Sequence, residues 1–234
     1  VIECNDRFLN DAIGRHVGKS HLIESITNAS SPSLEEGNVG AGTGMSGFGW
    51  KAGIGTASRI CESLEGKYTI GILALCNMGD PKDLRIGSLQ VGRYITPPGV
   101  NDESGGSVCF IVATDAPLNA RQLGRLARRA PFGLARVGGI VSHGSGTLSI
   151  AFSNSVDRPK IDDAHLSTIF RGVVEATEEA IINSILKAET LIGRDGNIRH
   201  AIPVDSLATM LNAQQSALED IPTRVWQESN KGES

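Results

Sequence analysis

A chain of 234 residues with 40% hydrophobic and 21% charged residues has the composition of a globular protein with a sizeable core, which excludes a disordered or fibrous one. A formal net charge of −4 at pH 7 leaves no electrostatic footprint for phosphate backbones, so nucleic acid is not an expected partner. No apolar run reaches the ~20 residues of a membrane span, so no membrane is implied, and the dispersed Cys4, Cys61, Cys76 and Cys109 form no CxxC or metal pattern, which makes reduced thiols and a cytoplasmic location the default.

Residues 16–30, HVGKSHLIESITNAS, place Val17, Leu22 and Ile26 at helical spacing and predict a short helix. The glycine-rich segment 35–59 follows, in which Phe48, Trp50, Ala52 and Ile54 alternate as in a half-buried strand. Its stretch GNVGAGTGM, 37–45, would let backbone N–H groups approach an anion. No strand leads directly into it, however, no helix follows and no GK[ST] is present, so a nucleotide site is not expected. YTIGILALC, 68–76, reads as a strand buried on both faces. After the turn NMGDPKD a shorter strand is predicted over 86–94, and then comes the Pro/Gly/Asn/Asp-rich loop ITPPGVNDESGG, 95–106.

Beyond the loop the order is a strand at 107–113, a basic helix at about 118–130, a glycine-rich turn and a strand at 147–152. In the helix, Arg121, Arg125, Arg128 and Arg129 recur at spacings of three and four along one side, which reads as a solvated or subunit-contact face rather than an anion site. The segment 162–189 is the strongest helix signal. Leu166, Ile169, Phe170, Val173, Ala176, Ala180, Ile181 and Ile185 make one apolar stripe, with Asp162 and Asp163 near its N-terminus. A last helix is predicted over 203–214. Strands in runs with helices between and after them favour a layered α+β or αββα sandwich over a regular βαβ repeat.

The chemistry concentrates at Ser107. His16, His21, His143, His165 and His200 are too scattered for a metal site, and none sits in a GxSxG setting, although His143 precedes Ser145 by two residues. Ser107 instead follows the flexible Glu-Ser-Gly-Gly run and opens an apolar strand. Gly106 offers an unhindered carbonyl that the Ser107 hydroxyl can attack in an N-to-O acyl shift. Hydrolysis of the ester would free the α-amine of Ser107, whose unperturbed pKa of about 7.7–8.0 suits a general base at neutral pH.

SVCFIVATDAPLNARQLGRLARRAPFGLARVG, together with VSHGSGTLSIAFS, VIECNDRFLND, EGNVGAGTGM, GIGTASR and LALCNMGD, resembles the family of self-processing serine aminopeptidases that includes L-aminopeptidase D-Ala-esterase/amidase and the β-peptidyl aminopeptidases. The resemblance implies a four-layer αββα sandwich akin to the N-terminal-nucleophile hydrolases but with different connectivity. It implies cleavage between Gly106 and Ser107, with 1–106 the remainder of the α part, 107–234 the β part, and the two together one structural domain. By the same resemblance Ser107 is the nucleophile, the Asn77 amide helps form the oxyanion hole, and Ser145 contacts and orients the nucleophile.

The implied function is an aminopeptidase/amidase that releases N-terminal residues from short peptides, amides or esters through an acyl-enzyme, without a cofactor or metal and as a homo-oligomer. The same acyl-enzyme would permit transfer to an amine in place of water. Thr147 stands where the family often has an acidic residue, and Asn5 where members have a tyrosine near the site, so both mark positions of the substrate pocket. Family precursors also carry a sizeable segment ahead of the VIECND equivalent, which implies N-terminal truncation here. The alternative is therefore a truncated or catalytically decayed homologue that acts as a binding scaffold.

Overall fold

The computed structural model describes residues 4–30, 34–63, 66–100, 106–156 and 161–219. The chain divides into two units, Val1–Ile202 and Pro203–Ser234. In the first, helix α1 (Lys19–Thr27) forms where its spacing predicts, with none of its residues buried. The glycine-rich segment then makes a hairpin, β1 (Ser46–Gly47) with β2 (Trp50–Lys51), in place of the single strand predicted from 48 to 54. Phe48 and Gly49 have φ of 50° and 75°, the left-handed pair that a two-residue hairpin turn requires. Phe48, Trp50 and Ala52 are all buried, so their alternation does not mark a strand with one wet face. The glycines around them serve close backbone contact rather than an anion cradle. A Cβ on Gly53 would stand 1.8 Å from the Gly37 carbonyl oxygen, and Gly37 and Ile54 exchange backbone hydrogen bonds of 2.7 and 3.0 Å.

The main sheet contains β3 (Ile54–Ser63), β4 (Gly66–Asn77), β5 (Gly106–Thr114) and β6 (Ser145–Ser153) in that order. The first two pairings are antiparallel and β5 with β6 is parallel. Strand β4 is covered on one face only, which corrects the expectation of burial on both. Ile70, Ile72, Ala74 and Cys76 are buried while the residues between them are half-buried. That covered face continues through Val108, Phe110 and Val112 of β5. Against it lie α4 (Leu166–Leu186), across β3 and β4, and α2 (Ala120–Ala127), on β5 and β6. Helix α3 (Ala130–Arg136) packs on α4. The apolar stripe of α4 is the predicted one, with Ile169, Val173, Ala176, Ala180, Ile181 and Ile185 buried. Each fully buried valine or isoleucine of this stripe contributes roughly 1.5–3 kcal/mol. On the opposite face Ile111, Leu148, Ile150 and Phe152 are exposed. Ile111 and Phe152 line, with Leu34, Thr56 and Leu73, an apolar groove of about 420 Å³.

Two further predictions change. The basic helix of 118–130 is two helices, because Pro131 in the first turn of α3 has no N–H to continue α2 and disfavours helical backbone before it. Three of its four arginines have partners within the chain. Arg121 and Arg125 pair with Asp163 at 2.8 and 2.9 Å, and Arg125 and Arg129 stack on the Phe170 ring at 5.0 and 3.9 Å. The strand expected over 86–94 is instead a tight turn, with an isolated Ile86–Leu89 bridge and a 3₁₀ turn at Val91–Arg93; Leu89 and Val91 are buried as turn residues. A second small hairpin, β7 (Leu191–Ile192) with β8 (Ile198–Arg199), ends the first unit. The second unit contains α5 (Val204–Glu219), longer than the predicted 203–214. Among the described residues no helix is long and apolar enough to cross a membrane.

Lys51 is fully buried. Its Nζ donates to the Gly42 carbonyl at 3.1 Å and to the Ala52 carbonyl. Burial holds its pKa down at about 8 against an ordinary 10.5. Below about pH 8 the group is charged in both states and folding bears the whole desolvation cost. Between about 8 and 10.5 the unfolded chain binds more protons at this site, so stability rises with pH across that window. Urea denaturation from pH 7 to 10.5 is expected to show the parent protein gaining stability relative to Lys51→Met; parallel curves for the two proteins would contradict it.

Candidate active site

The sheet brings the sequence-predicted residues together at one end, where β4 finishes and β5 and β6 begin. Register places Asn77, the last residue of β4, opposite Ser107 of β5, and places Ser107 opposite Gly146 of β6. Strand alternation turns the Ser107 and Asn77 side chains toward the groove face of the sheet. The Ser107 hydroxyl makes no hydrogen bond to a described residue. A Cβ on Gly146 would stand 3.4 Å from it, so glycine there leaves the oxygen room.

Gly106 is fixed by geometry. Its φ of 145° is a conformation that L side chains rarely adopt, and an added Cβ would lie 2.5 Å from the Asn77 carbonyl oxygen and 2.8 Å from the Met78 Cα. The residue before the serine must therefore be small and permissive for β5 to enter the sheet at all. The same lack of a side chain leaves its carbonyl carbon open to a nucleophile.

The Asn77 amide is held from both sides. Oδ1 accepts from the Ser46 backbone N–H at 3.0 Å, and Nδ2 donates to the Asn5 carbonyl at 2.6 Å. One Nδ2 proton is thus engaged and the second is left for another acceptor. Asn5 meets this network through its backbone, while its side-chain oxygen accepts from Arg7 N at 3.0 Å. Ser145 stands opposite Gly106 rather than Ser107, and Thr147 opposite Val108; alternation puts both side chains on the helix-covered face. The Thr147 hydroxyl oxygen is buried without a hydrogen-bond partner. Ser145 also lines, with Met78, Asp80, Leu134, Ile140 and Ser142, a cavity of about 160 Å³.

Two thiols stand beside the serine. Cys4 Sγ donates to the Ser107 carbonyl at 3.1 Å. Burial, reinforced by neighbouring Cys109, pushes the Cys4 thiol up to about 12, and burial raises Cys109 as well. Both thiols stay protonated at neutral pH and are poor nucleophiles there. Among the described residues no histidine is hydrogen-bonded to Ser107. His16 lies 3.5 Å from Asp11, and His21 Nδ1 accepts from Gly18 N at 2.9 Å. Among the described residues no group of three or more His, Cys, Asp or Glu side chains is placed to hold a metal ion. Cys4 and Ser46 are contacts that sequence reasoning missed, since both depend on segments distant in the chain.

The family model for peptidase family S58 matches residues 1–199. A beta-peptidyl aminopeptidase from Sphingosinicella xenopeptidilytica is 36% identical, over 92% of this chain and 60% of its own length. The crystal structure of a Pyrococcus horikoshii OT3 protein superposes with a TM-score of 0.83 at 45% identity, covering 91% of this chain and 62% of that one. The L-aminopeptidase D-Ala-esterase/amidase of Ochrobactrum anthropi, described as a prototype for the serine aminopeptidases and a new variant among the Ntn hydrolase fold, matches with a TM-score of 0.80 at 33% identity, over 90% of this chain and 61% of that one. The chain therefore spans about 60% of the length of the relatives it matches.

Gly106→Ala is expected to destabilise the fold by about 1–3 kcal/mol, the usual cost of a side chain forced into such backbone. Gly146→Ala, whose Cβ would meet the Ser107 hydroxyl at ordinary contact distance, should change stability far less. Denaturant midpoints of the two variants measure the difference, and equal midpoints would contradict the assigned role of Gly106.

Proposed function

The chain belongs to peptidase family S58, and from that premise we propose that it is a serine aminopeptidase whose nucleophile, Ser107, is created by cleavage of its own chain after Gly106. The observation that carries this reading is the register that sets Ser107 against Asn77 directly after a glycine. In the cleavage step Ser107 Oγ attacks the Gly106 carbonyl carbon, the C–N bond breaks and the nitrogen takes up the proton lost by the hydroxyl. Water then hydrolyses the ester, leaving Gly106 as a carboxylate and Ser107 with a free α-amine.

Turnover repeats the chemistry on a substrate. The hydroxyl attacks the carbonyl of the substrate's N-terminal residue and passes its proton to the α-amine. That amine protonates the departing amine or alcohol, and water attacks the acyl-enzyme. The second Nδ2 proton of Asn77 supports the negative oxygen of each tetrahedral intermediate. The substrates are short peptides, amides or esters with a free N-terminal residue. Thr147 carries no charge and its side chain lies on the helix-covered face, so no carboxylate at this position holds a substrate amine.

The four-layer sandwich belongs to the same proposal. The described sheet has helices on one face and exposed Ile111, Leu148, Ile150 and Phe152 on the other. A second sheet laid on these side chains would complete an αββα arrangement. The scaffold alternative gains no observation of its own, because Ser107, Gly106 and Asn77 are assembled in one place.

Asn77→Ala is expected to lower kcat by roughly 100- to 1,000-fold with KM little changed, the effect of losing one oxyanion donor. Replacing His16, His21, His143, His165 or His200 singly by Gln should leave turnover largely intact. A folded, correctly cut His→Gln variant without activity would contradict the α-amine as base.

A further inference from the structure

Arg199, at the end of β8, is the largest fully buried side chain among the described residues, with 2% exposure. A guanidinium is withdrawn from water to this degree only where it has partners. Its Nε donates to Ser46 Oγ at 3.2 Å, and its planar head lies 3.6 Å from the centroid of the Phe8 ring, within the range of a cation–π contact.

Ser46 and Phe8 both lead to the same amide. Ser46 gives its backbone N–H to Asn77 Oδ1. Phe8 lies three residues after Asn5, whose carbonyl takes Asn77 Nδ2. The turn of the β7–β8 hairpin grips this segment independently, Asn197 Nδ2 donating to the Phe8 carbonyl and Arg194 N to the Leu9 carbonyl, each at 2.8 Å. A primary amide can turn over and exchange its oxygen and nitrogen at little intrinsic cost. What fixes its sense here is a donor on one side and an acceptor on the other, and Arg199 touches the supports of both.

We infer that Arg199 is a positioning residue for the reaction at Ser107, holding Ser46 and Phe8 so that the Asn77 amide keeps its oxygen toward Ser46 and its second N–H available to the oxyanion. This rests on the reading of Asn77 as the oxyanion donor. Arg199 touches neither Ser107 nor the reacting atoms; it acts through Asn77, and its loss should appear in the transition state rather than in substrate binding.

A double-mutant cycle on the full chain, read as hydrolysis of an aminoacyl p-nitroanilide, tests the inference. Arg199→Gln is expected to lower kcat about tenfold to a hundredfold, the order associated with displacing a catalytic group by about an ångström, with KM unchanged within about twofold. Arg199→Lys should recover part of the loss, because it keeps the charge and a donor. In the Asn77→Ala background neither Arg199→Gln nor Ser46→Ala should slow the reaction further. Ser46→Ala removes only the hydroxyl, so its cycle decides the matter alone if Arg199→Gln does not fold. A slow Asn77→Ala enzyme that still loses the full factor on adding the second substitution, or an effect confined to KM, would overturn the inference. An Asn77→Ala enzyme as fast as the parent would overturn the reading of Asn77 itself and the inference with it.

Discussion

The antiparallel pairing of β4 with β5 is the constraint on which the rest of the site depends. It joins a strand from before the proposed cleavage point to the strand that begins at it, with Asn77 opposite Ser107 at the last rung of the ladder. Because side chains alternate along a strand, a slip of one residue would turn Ser107 to the helix-covered face and bring an apolar neighbour to the groove face. The register is secured by the covered face, where Ile70, Ile72, Ala74 and Cys76 of β4 and Val108, Phe110 and Val112 of β5 are buried under the helices. The core thus sets the position of the chemistry a short distance beyond it. Gly106 adds a local restriction, since the chain can approach the Asn77 carbonyl so closely only without a side chain.

Around this rung the polar groups are tied by segments far apart in sequence. Cys4 reaches the Ser107 carbonyl, Asn5 and Ser46 clasp the Asn77 amide, and Arg199 supports Ser46 and Phe8. These contacts, part-buried at Cys4, Ser46 and Arg199 and exposed at Asn5, hold the amide from several directions at once. The Ser107 hydroxyl stands outside the network, with no hydrogen bond to a described residue. An unengaged oxygen beside an oriented amide is suited to attack, and the raised pKa values of Cys4 and Cys109 keep the neighbouring thiols from competing.

Much of this was legible in the sequence wherever one local signal decided the outcome. The apolar runs gave the strands around 68–76, 107–113 and 147–152, and the stripe from Leu166 to Ile185 gave α4. The block around Ser107 and the LALCNMGD motif point to Ser107, Gly106 and Asn77, which the β4–β5 pairing sets side by side. The failures lie where tertiary packing overrides local pattern. Phe48 occupies a left-handed turn that its residue type disfavours, and its burial in the core outweighs that preference. Leu89 and Val91 are buried from a tight turn, so their apolarity mimicked a strand. Pro131 was visible, yet the arginine spacing suggested one unbroken helix. The resemblance marks Asn5 by its residue type, whereas the contact to Asn77 is made by its backbone carbonyl. Cys4, Ser46 and Arg199 carried no signal, because their roles arise from approaches across much of the chain.

The central claim is that the junction at Gly106 and Ser107 is a bond the protein cuts in itself to free its own nucleophile. Intact mass and N-terminal sequencing of the purified full chain, after incubation at neutral pH, test it most directly. The account predicts two fragments, the second beginning SVCFIVATD, and a single uncut chain when Ser107 is replaced by Ala. A wild-type protein that remains one chain, or a Ser107→Ala variant that is still cut at this bond, would contradict it.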